Sequence, residues 1–260
     1  MFSPLGKEKY EARTGPTENL LDVLQRAGMA VLWVDNQSGC KGVCARVASS
    51  ETTQGQDPQH CATGECLDEI MLQGLDEKIA ALGQERWSKG VVVVLHQMGS
   101  HGPAYYKRSP PFAKKFLPEC TTNILQDCKR QEVVNAYDNS IVYTDHLLSQ
   151  VIAWQKARQN DMSMAMLYVS DHGESLGENN LYLHGLPYAI APDVQKRVPW
   201  VTWLSPQFQQ QRGLAQSCLN QLPERRLSHD HLFHSVLGLL NVQTQAYQPG
   251  LDAYAACVKP

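Results

Sequence analysis

Residues Ala165 to Gly185 read AMLYVSDHGESLGENNLYLHG, and this stretch decides the fold. Ala165 to Val169 is a short apolar run of the kind that forms a buried strand. It stops at Ser170 and passes directly into Asp171, His172, Gly173 and Glu174, and His184 closes the loop that follows. In open α/β sheets the working residues gather at the carboxyl ends of parallel strands. An adjacent Asp and His there offer one oxygen and one nitrogen ligand, a mixture that suits zinc. Gly173 and Gly177 allow the tight turns such a loop needs.

Working outward, Val91-Val92-Val93-Val94-Leu95 is the strongest strand signal in the chain. Its continuous apolar character fits a central parallel strand covered on both faces. His96 to Gln131 then forms a long loop that carries His101 and the Pro110-Pro111 pair. A further buried strand spans Met29 to Val34 and ends in Asp35. The helix before it, Glu18 to Ala27, has Gly28 where a C′ glycine belongs. Helices are expected over Leu67–Leu82, over Glu132–Ala157, and over Asp230–Leu240 with Ser228 as its N-cap. Val198 to Leu204 is another strand. Residues 1–17 and the tail are irregular, and Asn36 to Cys66 is a long loop of the kind that is functional or tied down. The alternation of helix and strand predicts a three-layer αβα domain. If the strands before His96 and before Asp171 are parallel neighbours, their histidine-bearing loops converge at one sheet edge.

Composition narrows the class. A chain of 260 residues makes one large domain or two small ones. Apolar residues make up 43% and charged residues 19%, which argues against disorder. A formal charge of −3 gives no reason to expect a nucleic-acid partner. No run approaches the roughly 18 apolar residues of a membrane span, and the first residues lack the apolar centre of a secretory signal. Six of the eight cysteines fall into local pairs: Cys40/Cys44, Cys61/Cys66 and Cys120/Cys128. This reads as a disulfide set formed in an oxidising compartment. A zinc site built from Cys40, Cys44, Cys61 and Cys66 is the competing reading.

The chemistry points to a phosphate- or sulfate-ester site, because metal ions neutralise the charge on a transferred group. The plainer alternative has Asp171 capping a turn and the histidines serving as ordinary loop residues. Glu174 and Glu178 are either partners that orient a ligand or solvated acids. Lys41, inside Cys40-Lys41-Gly42-Val43-Cys44, is either a point charge for a phosphate oxygen or a surface lysine. His229, His231 and His234 read as a solvated helix start. Asp171 and His172 supply two metal ligands. No third ligand stands out, and no Ser, Thr or Cys has the context of an activated nucleophile.

Five motifs carry a resemblance: SDHGESLGE at Ser170–Glu178, YLHGLPYAIAP at Tyr182–Pro192, HQMGSHGPAYY at His96–Tyr106, GCKGVC at Gly39–Cys44 and YDNSIVYTD at Tyr137–Asp145. In these the chain resembles the lipid A phosphoethanolamine transferases, including the mobile colistin-resistance enzymes, of the alkaline phosphatase and sulfatase superfamily. The resemblance implies a periplasmic zinc enzyme anchored in the inner membrane. It would move phosphoethanolamine from phosphatidylethanolamine to a lipid A phosphate. It implies that Asp171 and His172 are ligands of the main zinc. His101 and His184 would hold the phosphoethanolamine group or a second zinc, and Lys41 would lie near the substrate phosphate. The family's nucleophilic threonine, a glutamate ligand, the first strand, the helix after it and the membrane helices are expected upstream of Met1. The chain would then be a partial sulfatase-like catalytic domain over 1–260, inactive alone. Two alternatives stand: a sulfatase- or phosphodiesterase-type hydrolase of the same superfamily, and a non-catalytic module that binds lipid head groups.

Overall fold

The computed structural model describes residues 1–52, 57–62 and 64–259. Its strands are β1 (Ala30–Asp35), β2 (Ala48–Glu51), β3 (Val91–His96), β4 (Ala165–Val169), β5 (Ser175–Leu176), β6 (Tyr182–Leu183) and β7 (Trp200–Leu204). Its α-helices are α1 (Gly6–Glu11), α2 (Leu20–Arg26), α3 (Leu75–Ala80), α4 (Arg130–Lys156), α5 (Asp193–Lys196), α6 (Pro206–Gln211), α7 (Gln216–Leu219) and α8 (Asp230–Leu239).

The three layers follow from the alternation of side chains along β1. Val31 and Trp33 pack on Leu20, Leu21 and Leu24 of α2 and on Phe233 and Leu237 of α8. Leu32 and Val34 point the other way, onto Ile70, Met71, Leu75, Ile79 and Leu147 of α4. Every residue of β1 is buried. β2 and β3 pair with it in parallel, one on each side.

The remainder of the sheet differs from expectation. β4 pairs with β7, antiparallel, and not with β3. Among the described residues no named strand pairs with the second edge of β3 or of β4. All six residues of β3 are only half-buried. The run with the most continuous apolar sequence is therefore not the covered central strand; β1 is.

Several local readings hold and others need correction. Helix α2 starts with a capping box, Asn19 Oδ1 accepting from the Leu21 N–H at 2.8 Å and Asp22 Oδ2 accepting from the Asn19 N–H at 2.7 Å. It ends at Gly28, whose φ of +91° suits glycine. The helix expected over Leu67–Leu82 is broken into a short 3-10 turn, Asp68–Leu72, and α3. The buried Asp68 carboxylate accepts from Asn36 Nδ2 at 2.8 Å and from the Met98 and Gly99 N–H groups at 2.8 and 2.9 Å. This fixes the first turn to the loops after β1 and β3. Gly74, at φ +59°, then redirects the chain into α3.

The loop expected over Asn36–Cys66 contains β2, and residues 53–56 and 63 of it lie outside the described residues. Residues 1–17 are not wholly irregular, since they include α1, whose Lys7 N–H donates to Asp230 at 3.1 Å. Ser228 does not cap α8; its N–H and hydroxyl instead meet Nδ1 of His231 at 3.1 Å each. Disulfides join Cys40–Cys44, Cys61–Cys66, Cys120–Cys128 and Cys218–Cys257. The first three are the expected pairs, the last joins the two cysteines outside them, and the four-cysteine zinc site is overturned. No described helix is long and apolar enough to cross a membrane.

Candidate metal centre

Three loops bring three histidines together. His101 follows β3, His172 follows β4 and His184 follows β6. One ring nitrogen from each lies within 4.8 Å of the others. The rings of His172 and His184 stack at 3.7 Å, and His101 sits edge-on to them at 6.2 and 5.2 Å. Buried Tyr105, Cys120, Leu125, Val133 and Ala136 pack with Leu176, Tyr182 and Leu183, so one small core holds the loops of His101 and His184 on α4.

The hydrogen bonds fix which nitrogen of each ring is free. Nδ1 of His101 faces the Gly102 carbonyl at 2.8 Å, and Nδ1 of His172 faces the Gly173 carbonyl at 3.1 Å. Nδ1 of His184 faces the Glu174 carboxylate at 3.0 Å. Carbonyl and carboxylate oxygens only accept, so each Nδ1 must carry the hydrogen. In a neutral ring that leaves the lone pair on Nε2, the state required of a metal-ligating histidine, with Nδ1–H donated to a supporting oxygen. The donor set therefore fits a transition-metal ion.

Glu174 is more than a solvated acid. It is buried, and it also accepts from the hydroxyl of buried Tyr105 at 3.1 Å. Burial, followed by the Glu174 charge, pushes the Tyr105 phenol well above its ordinary range. Tyr105 therefore stays a neutral donor. Glu178 is different: it pairs with Arg130 at 3.0 Å and accepts from the Leu176 N–H at 2.6 Å, which is a loop-shaping role.

Two glycines make the cluster possible. A Cβ on Gly173 would lie 2.0 Å from the Val194 carbonyl oxygen. A Cβ on Gly102 would lie 2.5 Å from Leu183 and 2.7 Å from the Tyr105 hydroxyl. Leu183 itself has φ +63°, a costly conformation for a bulky residue. Its carbonyl is clamped by Gln195 Nε2 at 3.0 Å, and the same amide reaches Ser175 at 2.8 Å.

The other expected residues fall in different places. Asp171 lies beside the trio, not within it: Oδ2 is 3.8 Å from Nε2 of His172, and the side chain is 66% exposed. Lys41 sits inside the Cys40–Cys44 bridge at φ +49°, exposed, with Nζ donating to Ser38 at 3.2 Å. It does not line the cavity at the histidines. His96 is not in the trio either; its Nδ1 is held at 2.9 Å by Asp35. Burial opposes the charge on Asp35, but hydrogen bonds from Trp33, His96 and the Gln37 N–H outweigh it and lower its pKa.

The solvated helix start is corrected as well. His234 is fully buried and accepts from the Gln248 N–H at 3.1 Å. His229 donates to the Ser170 carbonyl at 2.8 Å, at the end of β4. The contacts of Tyr105 and His229 are tertiary and leave no mark in local sequence. One local signal was present: His101, His172 and His184 are each followed by glycine. From His172 and His184 a cavity of about 1070 Å³ runs past Trp200 and Thr202 to Leu219 and Tyr254.

The sequence profile of the family described as Sulfatase matches residues 2–242. The chain belongs to the sulfatase family. Within that family it is similar to the phosphoethanolamine transferase EptA of Escherichia coli K12, 46% identical over 99% of this chain and 46% of that protein. It is also 40% identical to the phosphatidylethanolamine transferase Mcr-1 of Escherichia coli, over 93% of this chain and 44% of that one. Among solved structures, the soluble domain of lipooligosaccharide phosphoethanolamine transferase A from Neisseria meningitidis superposes with a TM-score of 0.88 at 45% identity. That match covers 94% of this chain and 72% of the domain. The integral membrane form of that Neisseria protein gives the same score and identity, over 45% of its length. The chain thus spans about half the length of the curated relatives it matches. These likenesses bear out the resemblance read from the five motifs.

Proposed function

We propose that this chain is the metal-binding part of an enzyme that moves phosphoethanolamine from phosphatidylethanolamine to a lipid A phosphate, a transfer that confers resistance to polymyxins such as colistin. The observation that carries the reading is the trio of histidines, each with Nδ1 committed to an acceptor, in a chain similar to phosphoethanolamine transferases over nearly all its length. We assign zinc as the metal. His172, with Asp171 beside it, holds the main ion, and His101 and His184 serve the phosphoethanolamine group or a second zinc. When bound, zinc supplies a Lewis acid that draws charge from a phosphoryl oxygen.

The protein's own residues do the positioning. Glu174 and Tyr105 keep His184 in one orientation, while Gly102 and Gly173 let the two loops close around the rings. Lys41, with its ammonium exposed, meets a phosphate oxygen once a substrate is present. None of these 260 residues is assigned as the nucleophile, so the chain alone is not expected to carry phosphoethanolamine. We place the enzyme on the periplasmic side of the inner membrane. Four disulfides fit an oxidising compartment, and the Neisseria relative is an integral membrane protein.

The test is mass spectrometry of lipid A from cells that express the whole enzyme of which this chain is proposed to be part. Wild type should add phosphoethanolamine, and His172→Ala should abolish the addition. Unmodified lipid A from wild-type cells would overturn the reading. A covalent phosphoethanolamine on the purified 260-residue chain, after incubation with donor lipid, would show that a nucleophile lies within it.

A further inference from the structure

The loop that follows His184 leaves an unusual set of side chains in water. Leu186 is 37% exposed, Tyr188 64%, Ile190 70% and Val194 43%. A single exposed apolar residue needs no explanation. Here all four belong to one short segment that starts directly after a site histidine. Leu186 and Tyr188 also line the mouth of the cavity that opens at His172 and His184.

A second observation gives the surface its character. Two ammonium groups lie over the Tyr188 ring, Lys7 Nζ at 4.1 Å and Lys196 Nζ at 5.3 Å from its centroid. Lys7 comes from α1, distant in sequence, so the fold builds this arrangement. Arg197 adds a third cation whose side chain is 80% exposed. The neighbouring carboxylates are Glu11, 3.9 Å from Lys7, and Asp193, 2.8 Å from Arg197 and 3.8 Å from Lys196. Asp230 also accepts from the Lys7 N–H at 3.1 Å, so these charges balance locally. Among the described residues that line the cavity, Lys7, Lys196, Arg197 and Arg225 meet one carboxylate, Asp171, and there positive charge is in excess. Aliphatic tips, an amphipathic aromatic ring and long cationic stems are the composition that settles at a lipid–water boundary. Apolar groups enter the acyl edge there, and cations meet the head-group phosphates.

We propose that the segment 185–197, with Lys7, docks the metal site onto an anionic lipid surface. Ile190 and Tyr188 enter the head-group boundary, while Lys7, Lys196 and Arg197 meet lipid phosphates. The proposed function needs lipid substrates but assigns no surface of this chain to the bilayer. The docking surface is built by the loop and does not depend on the metal.

The experiment is co-sedimentation of the purified chain with vesicles of phosphatidylcholine and phosphatidylglycerol, which offer no phosphoethanolamine to the histidines, compared with vesicles of phosphatidylcholine alone. Wild type binds the anionic vesicles more tightly. Ile190→Asp weakens that binding by about tenfold, the scale of losing one partly buried aliphatic side chain. Lys196→Glu with Arg197→Glu weakens it further at low salt and flattens its salt dependence. Ile190 and Arg197 are exposed, so Ile190→Asp and Arg197→Glu should melt like wild type, and Arg197→Glu alone serves as the check on Lys196, whose side chain is half-buried. Leu117→Asp, at another exposed apolar residue (67%), should leave binding unchanged, as should His172→Ala with His184→Ala. Equal vesicle binding by wild type and Ile190→Asp overturns the proposal, and so does no binding by wild type. Binding lost only in the histidine variants places the lipid contact at the metal site and overturns it too. Vesicle docking that persists while lipid A stays unmodified sinks the enzymatic reading alone.

Discussion

Strands β1 and β3 lie side by side in parallel register, yet they live in different surroundings. β1 runs AVLWVD and is buried at every position; β3 runs VVVVLH and is half-exposed at every position. By composition the order should be reversed. The difference is in what lies beside them: β1 has a strand on each side, whereas among the described residues β3 and β4 are each paired on one side only. Apolar content shows that a strand is made to be covered, but not which edge is covered. The comparison divides the molecule into a sealed half, built on β1, α2 and α8, and an open half, where the loops after β3, β4 and β6 carry the site.

The sharpest way to break this contrast is one chemical change made in both halves. Val34→Ala removes methyl groups from a fully buried position of β1 and should cost about 2 kcal/mol in chemical denaturation. Val93→Ala, at a half-buried position of β3 packed on the same cluster, should cost less than half of that. Equal costs would mean that the two strands are equally enclosed. Next in size is the open half's own support. Glu174→Gln leaves the fold intact but weakens the hold on His184 Nδ1–H, so zinc affinity by calorimetric titration should fall about tenfold or more. An unchanged affinity would remove Glu174 from the site.

The smallest effect belongs to the sealed half. Burial, with help from the neighbouring His231, lowers the His234 pKa, so the folded protein binds fewer protons there than the unfolded chain. The stability it contributes is present above the ordinary imidazole pKa and is lost as pH falls through the folded value. Melting temperature should therefore drop between about pH 7 and about pH 5, and His234→Asn should shallow that drop. An Asn oxygen can still accept from the Gln248 N–H. An identical slope in the variant would assign the acid sensitivity to other groups.

Much of this arrangement was legible in sequence, and the rest was hidden for identifiable reasons. The β1 strand, α2 with its Gly28 stop, α4 and α8 announce themselves in local sequence, although the Ser228 cap expected for α8 does not form. The three short disulfides follow from spacing, but Cys218–Cys257 spans 39 residues and only the fold brings its ends together. β2 reads ASSE, with no apolar signal, because it is an exposed edge strand. The antiparallel pairing of β7 with β4 depends on long-range register, which local pattern does not carry. At the site, His101, His172 and His184 were picked out and do converge. Their convergence does not need β3 and β4 to be hydrogen-bonded neighbours. Asp171 stands next to them and Lys41 apart from them, since loop paths, not residue types, set where those groups point.

The hydrogen-bond partners of the three rings also bear on how the site tolerates genetic change. For His101 and His172 the acceptor is the peptide oxygen of the following residue. A backbone oxygen survives any substitution that leaves the chain path intact, so these two rings keep their tautomer through most nearby mutations. His184 depends on the side chain of Glu174, which one nucleotide change can replace. Variation arising in this gene should accumulate freely around the first two histidines, apart from their glycines, and be purged at Glu174. A library selected for retained metal binding would show the imbalance as an empty column at that one position.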